Sequence, residues 1–255
     1  MPLELVTLPA LSDNYTYLVH DAESGATAVV DAPEAAPILD ALAARGWTLT
    51  DIWLTHHHHD HTGAVPELLE RYPAKVTAAA ADAERLPPLD RAVADGESFT
   101  FAGETVQVMD VSGHTIGHIA FHIPSAGLVF TADSLMALGC GRLFEGTADQ
   151  MWTSLSKLAA LPPDTTVCSG HEYTAANAKF ALTIEPDNAA LTSRSKDITA
   201  ARAKGQPTVP STLSEELATN PFLRANLPGV KSAIGMPGAS DVEAFAEIRA
   251  RKDRF

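Results

Sequence analysis

The chain has 255 residues, 45% of them apolar and 20% charged, a balance that excludes a disordered or fibrous polypeptide. Thirty-two acidic residues against eighteen basic ones leave a net charge of −14 at pH 7. That charge argues against broad contact with nucleic acid or an anionic membrane, and it requires any anionic ligand to meet a locally basic site.

Short β-rich runs and helical patterns alternate up to about residue 170. Strands are expected over residues 3–8, 16–20 and 27–30. A helix over 34–45 puts Ile38, Leu39 and Leu42 on one face and stops at Gly46. A strand over 51–55 precedes a helix over 63–72, in which Val65, Leu68, Leu69 and Tyr72 are spaced i, i+3, i+4, i+7. Further strands are expected over 75–79, 98–101, 105–111, 118–123 and 128–131. Thr147 and Gln150 stand at capping-box spacing before a helix to about residue 160, closed by Pro162-Pro163. Residues 166–168 form the last expected strand. Beyond residue 171 only helices are expected: 174–184, 188–204, one opening at the capping box Thr212-Leu213-Ser214-Glu215, and 241–254. The expected organisation is an α/β domain over 1–170 and a smaller α-helical domain over 171–255.

Two cysteines, Cys140 and Cys168, are too few for a disulfide framework, so a reducing compartment is expected. The first residues lack the basic and apolar stretches of a signal peptide, and no apolar run approaches the roughly 18–20 residues that span a bilayer. The expectation is a cytoplasmic protein without a membrane or nucleic-acid partner.

The chemistry concentrates in Thr55-His56-His57-His58-His59-Asp60-His61-Thr62-Gly63. Side chains alternate in an extended segment, so His56 and His58 face one side while His57 and His59 face away. A turn before the helix brings Asp60 and His61 to the same cavity. Imidazole and carboxylate at this density suit zinc, iron or manganese. His114, Asp133 and His171 each follow a strand-like run, where α/β folds collect ligands and catalytic groups. Together His56, His58, Asp60, His61, His114, Asp133 and His171 suffice for two metals sharing a carboxylate.

Thr-His-x-His-x-Asp-His, then Gly-His, then an Asp after a strand and a final His, resembles the metallo-β-lactamase fold, an αββα sandwich. More narrowly, the chain resembles the glyoxalase II (hydroxyacylglutathione hydrolase) family along its whole length. The stretches that carry the narrower likeness are Asp13-Asn14-Tyr15, residues 139–148 (Gly-Cys-Gly-Arg-Leu-Phe-Glu-Gly-Thr-Ala), residues 170–174 (Gly-His-Glu-Tyr-Thr), residues 220–224 (Asn-Pro-Phe-Leu-Arg) and residues 249–253 (Arg-Ala-Arg-Lys-Asp).

The resemblance implies one metal on His56, His58 and His114 and a second on Asp60, His61 and His171. Asp133 would bridge them with a hydroxide, and Asp60 has a second possible role in orienting it. The metals are expected to be zinc, with iron or manganese open. Substrate contacts are implied at Arg142, Phe144, Tyr173, Arg249 and Lys252, with the last two at an exposed basic rim. Arg142 and Phe144 stand where other members carry Lys and Tyr; Arg keeps the charge and adds a fork for a carboxylate. The implied reaction is hydrolysis of S-(2-hydroxyacyl)glutathione, above all S-D-lactoylglutathione to glutathione and D-lactate, by a monomer acting in methylglyoxal detoxification.

The nearest alternatives are a glutathione persulfide dioxygenase, with one iron on two His and one Asp, and another hydrolase of the same fold. A non-catalytic metal-binding protein would be expected to lack part of the ligand set. His20, His118 and His122 are expected to be structural or superficial, His57 and His59 not to be ligands, Cys140 a small loop residue and Cys168 a buried apolar one.

Overall fold

The computed structural model describes residues 3–255. They divide into two compact units, one of the described residues up to 110 together with 117–131, the other of residues 111–116 and 132–255.

The first unit opens with β1 (Glu4–Ala10), β2 (Asn14–His20), β3 (Thr27–Val30), α1 (Ala35–Arg45), β4 (Asp51–Leu54), α2 (His59–Thr62), α3 (Val65–Arg71), β5 (Lys75–Ala79) and β6 (Arg91–Val93). The six strands form one sheet in sequence order, antiparallel from β1 to β3 and parallel from β3 to β6. Alternation along β4 sets the layers. Ile52 and Leu54 join Ile38 and Leu42 of α1 and Val65 and Leu68 of α3 in one buried cluster. Trp53 points the opposite way and meets Phe99, Phe101, Phe121 and Phe130, with ring centroids 5.1–6.4 Å apart. Those aromatics come from a second, antiparallel sheet of β7 (Ser98–Phe101), β8 (Glu104–Asp110), β9 (Ile119–Ile123) and β10 (Leu128–Ala132). Trp53 is fully buried and is the centre of the sandwich.

The second unit carries a short hairpin of β11 (Leu135–Met136) and β12 (Gly139–Cys140), then α4 (Ala148–Ala159), β13 (Thr166–Ser169), α5 (Thr174–Ile184), α6 (Ala189–Ala203), β14 (Ser211–Thr212), α7 (Leu213–Thr219), α8 (Pro228–Ala233) and α9 (Asp241–Arg254). Capping boxes start α4 (Thr147 with Gln150), α7 (Thr212 with Glu215) and α9 (Ser240 with Glu243). Glu216 of α7 is fully buried and accepts hydrogen bonds from Arg194, Ser211 Oγ, the Leu138 amide and Asn220 Nδ2. A buried carboxylate with this many donors is satisfied rather than strained, and it ties the β11–β12 turn to the helices.

Most expected elements are present within a residue or two at their ends. The helix expected over 63–72 is interrupted: α2 ends at Thr62 and α3 starts at Val65 with Pro66 in its first turn. Strands do not cease after residue 171, because β14 pairs antiparallel with β13, Thr166 opposite Thr212.

Candidate active site

In the first unit the histidine run leaves β4 and turns into α2, whose N-cap is His58. The His61 amide donates to the His58 carbonyl at 2.9 Å, and this turn lays the His61 ring 4.2 Å from the His56 ring; His58 is 4.7 Å from His56. His56 and His61 are buried. His61 Nδ1 lies 2.8 Å from Asp31 Oδ2. A carboxylate only accepts, so Nδ1 carries the proton and Nε2 presents a lone pair. That Nε2 faces Asp60 Oδ2 at 3.5 Å. Asp60 is held in turn by Asn14 Nδ2, which donates to its carbonyl at 3.1 Å and its carboxylate at 3.0 Å. Asp31, His56 and His61 each bring a ligand atom within 4.8 Å of the others. Asp31 spends its oxygens on His61, on the Thr55 amide and on Thr55 Oγ1, so its carboxylate is already committed to holding these groups.

The second unit repeats this arrangement. His114 Nδ1 donates to the Arg142 carbonyl at 2.8 Å, which leaves a lone pair on Nε2. That Nε2 and the Nε2 of His171 lie 3.4 and 3.3 Å from the same oxygen of Asp133. All three residues are buried. In both units an imidazole lone pair faces a carboxylate oxygen, an arrangement that a shared cation satisfies and that hydrogen bonding without a bound proton does not. The donor chemistry fits divalent metal.

Beside Asp133 opens a cavity of about 340 Å³ lined by His114 and Asp133 and by Arg142, Phe144, Tyr173, Arg249 and Lys252. All five expected substrate residues therefore line one space. The Phe144 ring meets His114 edge-on at 5.2 Å, and Tyr173 stacks on His171 at 4.7 Å. Two glycines permit close approach: a Cβ on Gly141 would lie 2.0 Å from the Asp133 carbonyl oxygen and 2.9 Å from His114 Nδ1, and one on Gly146 would lie 2.6 Å from Gly113. The amides of Phe144 and Glu145 donate to the His114 carbonyl, that of Gly146 to Gly113, and the Ile116 amide to Glu145 Oε2.

Arg249 departs from the expected exposed rim. It is 6% exposed, donates to the Cys140 carbonyl at 2.8 Å and to Asp253 at 2.9 Å, and stacks on Phe222 at 5.1 Å. Its Nε has no hydrogen-bond partner among the described residues. Arg142 is 61% exposed, with Asp253 at 3.5 Å. Burial, then the charge of Arg249, pushes the Lys252 ammonium below its ordinary range, while Asp253 pushes back. Burial drives the Cys140 thiol up to about 11 against the opposing pull of Arg249, and burial raises Cys168 further still.

The metallo-β-lactamase superfamily model matches residues 11–171 and the hydroxyacylglutathione hydrolase C-terminal model residues 172–255. Curated hydroxyacylglutathione hydrolases of Ruegeria pomeroyi and Roseobacter denitrificans are 66% and 65% identical to the chain, over 100% of both sequences. The chain belongs to the hydroxyacylglutathione hydrolase family. It is thus a hydrolase on the metallo-β-lactamase fold with the family's C-terminal domain. Among solved structures, TTHA1623 in a di-iron-bound form is 30% identical, with a TM-score of 0.57 over 66% of this chain and 91% of that one. No helix among the described residues is long and apolar enough to cross a membrane.

Within the hydroxyacylglutathione hydrolase frame, several supporting residues escaped the sequence reading. Asp31 and Asn14 act on partners 30 and 46 residues away, a separation with no local pattern; Asn14 lies in the Asp13-Asn14-Tyr15 stretch that carries the family likeness, which does not announce its hold on Asp60, and Asp31 shows only as an Asp directly after the β3 run. His118 is fully buried with its ring stacked on His56 at 4.6 Å, the structural one of the two roles expected for it. His20 stacks on Trp47 at 3.9 Å, and His122 meets Gln107, with burial holding its pKa down.

Proposed function

We propose that the chain hydrolyses S-(2-hydroxyacyl)glutathione thioesters, above all S-D-lactoylglutathione, to glutathione and the 2-hydroxy acid, as a step of methylglyoxal detoxification. The supporting observation is the cavity beside Asp133, where metal-type donors at one end meet three basic side chains, Arg142, Arg249 and Lys252, in one space. Glutathione carries two carboxylates, and charge-assisted hydrogen bonds from arginine suit them.

In this reading His56, His58 and His114 hold one divalent ion, Asp60, His61 and His171 a second, and Asp133 both. Zinc is the first expectation and iron or manganese the alternatives. Divalent ions held there supply a water acidified towards neutrality and polarisation of the thioester carbonyl. The chain's own residues do the rest. Asp31 and the Arg142 carbonyl fix the tautomers of His61 and His114. Asn14 anchors Asp60, which orients the attacking water. Phe144 and Tyr173 wall the reacting carbonyl against bulk water, while Arg142, Arg249 and Lys252 hold the glutathione carboxylates and place the thioester. The C–O bond forms first, giving a tetrahedral oxyanion as the water sheds a proton to solvent; the C–S bond then breaks as the carbonyl re-forms, and the released thiolate takes up a proton from solvent. Cys140, with its thiol raised to about 11, is not a competing nucleophile.

The domain division at residue 170, a monomer and a cytoplasmic setting belong to the same proposal. The first is supported by the meeting of the two family matches at residues 171 and 172, the last by two buried, unbridged thiols. Metal analysis beside assays on S-D-lactoylglutathione and glutathione persulfide tests the function. The expected result is close to two metals per chain, loss of activity on chelation and recovery with divalent metal. Full activity with one metal or none, or oxidation of the persulfide as the main reaction, refutes it. Asp133→Ala is expected to cost more activity than loss of any one histidine.

A further inference from the structure

His57 sits between two expected ligands in the sequence, yet its ring is engaged elsewhere. Its Nδ1 lies 3.1 Å from Asp82 Oδ2, and its Nε2 lies 3.4 Å from Arg85 Nη1. The Asp82 side chain is 1% exposed and also accepts from Arg85 Nε at 3.2 Å and from the other guanidinium nitrogen, Nη2. These contacts leave His57 one arrangement. A carboxylate only accepts, so Nδ1 carries the proton; a guanidinium only donates, so Nε2 spends its lone pair on Arg85. The clamp is itself confined. A Cβ on Gly117 would lie 2.1 Å from the Asp82 carboxyl carbon, and the next residue, His118, stacks on His56.

A run of four histidines is a degenerate ligand set, since each imidazole is chemically as able to bind metal as its neighbours. We infer that Asp82 and Arg85 are positioning residues that withhold His57 from metal, so that it does not compete with His56 and His58 on either side of it. The inference rests on the proposed metal roles of His56 and His58.

The zinc-loaded protein, labelled with ¹⁵N-histidine, tests it. Long-range ¹⁵N–¹H correlation, with His57→Gln to identify the resonances, is expected to show His57 as the neutral Nδ1–H tautomer. Arg85→Met removes the donor where the side chain is 40% exposed, and a thermal melt verifies that the fold is kept. This variant is expected to shift the d–d absorption of the cobalt-substituted protein and to speed zinc loss to a chelator by about 10-fold. In a His57→Gln background Arg85→Met is expected to change neither. A purely structural role predicts equal effects in both backgrounds, and that result overturns the inference. So does a wild-type His57 protonated on Nε2, or an Arg85→Met protein with unchanged spectrum and zinc loss. Intact Nδ1–H tautomer in a protein that binds no metal at His56 or His58 instead refutes the metal assignment beneath the inference, and so separates the two failures.

Discussion

Replacing Asp31 with Asn is a sharp test of how the first unit prepares its ligands. Asp31 has φ +58°, a left-handed conformation that Asn adopts readily and alanine does not, so Asp31→Asn leaves the backbone unstrained. The carboxylate accepts from the Thr55 amide at 2.9 Å through Oδ1, and from Thr55 Oγ1 at 2.9 Å and His61 Nδ1 at 2.8 Å through Oδ2. Asn has only one accepting atom. If it faces the Thr55 amide, its NH2 faces His61, whose proton must move to Nε2, and the ligand lone pair is lost. If it flips, His61 keeps its tautomer but two buried N–H groups confront each other at Thr55, at a cost of about 1–3 kcal/mol. The metal-free protein adopts the first arrangement with little loss of stability; metal selects the second. Binding therefore weakens by about 1–3 kcal/mol, roughly 5- to 150-fold, while the metal-free melting temperature falls by no more than about 2–4 °C. Competition against a chromophoric chelator measures the first quantity and calorimetry the second. Unchanged affinity, or an affinity loss matched by an equal loss of metal-free stability, refutes the tautomer argument.

Gly141→Ala forces a Cβ to within 2.0 Å of the Asp133 carbonyl oxygen and is expected to lower metal content and turnover together, whereas Gly229→Ala, with nothing within 4 Å, leaves both intact; metal analysis and kcat on each variant decide. Arg142→Ala removes an exposed contact remote from the reacting carbonyl, so KM rises far more than kcat falls; Arg249→Ala also strips the stacking on Phe222 and the bond to Cys140 and lowers the melting temperature as well. Phe144→Tyr is expected to be neutral or to tighten binding by about 0.5–1.5 kcal/mol, one added hydrogen bond, as read from KM and inhibition by a glutathione analogue. Cys140, with its thiol at about 11, resists alkylation at pH 8 in the folded protein and reacts fully in denaturant; rapid native labelling contradicts its burial.

The sequence made the histidine cluster legible because its donors sit at fixed short spacing, and the helices because their caps and stripes are local. Thr147, Thr212 and Ser240 all cap as side-chain acceptors of the N3 amide, though only the first two were read as capping boxes. The rest was hidden for physical reasons. β6, β11, β12 and β14 are two or three residues long, too short to show alternation, and exist because a neighbouring strand offers hydrogen bonds. The break at Gly63 and Ala64 follows from the Ala64 amide, which donates to the Ala32 carbonyl at 2.8 Å instead of within the helix, a long-range bond that no periodicity announces. Asp31 and Asp82 look like ordinary loop acids until the chain brings them to His61 and His57. Arg249 shares the basic tail with more exposed neighbours, and it is the positions of Phe222 and the Cys140 carbonyl, far away in sequence, that bury it.

The hydrogen bonds that join the Arg142–Gly146 loop to Gly113, His114 and Ile116 bear on how such an enzyme acquires new preferences. Lengthening or shortening that loop would pull on the carbonyl that orients His114, so selectivity cannot drift by insertion and deletion, the usual route for surface loops. Exchange of the outward side chains is the route left open. Arg142 and Phe144 are exposed while their backbone is pinned, so recognition can be rewritten by side-chain exchange, most freely at Arg142, because the Phe144 ring also rests on His114.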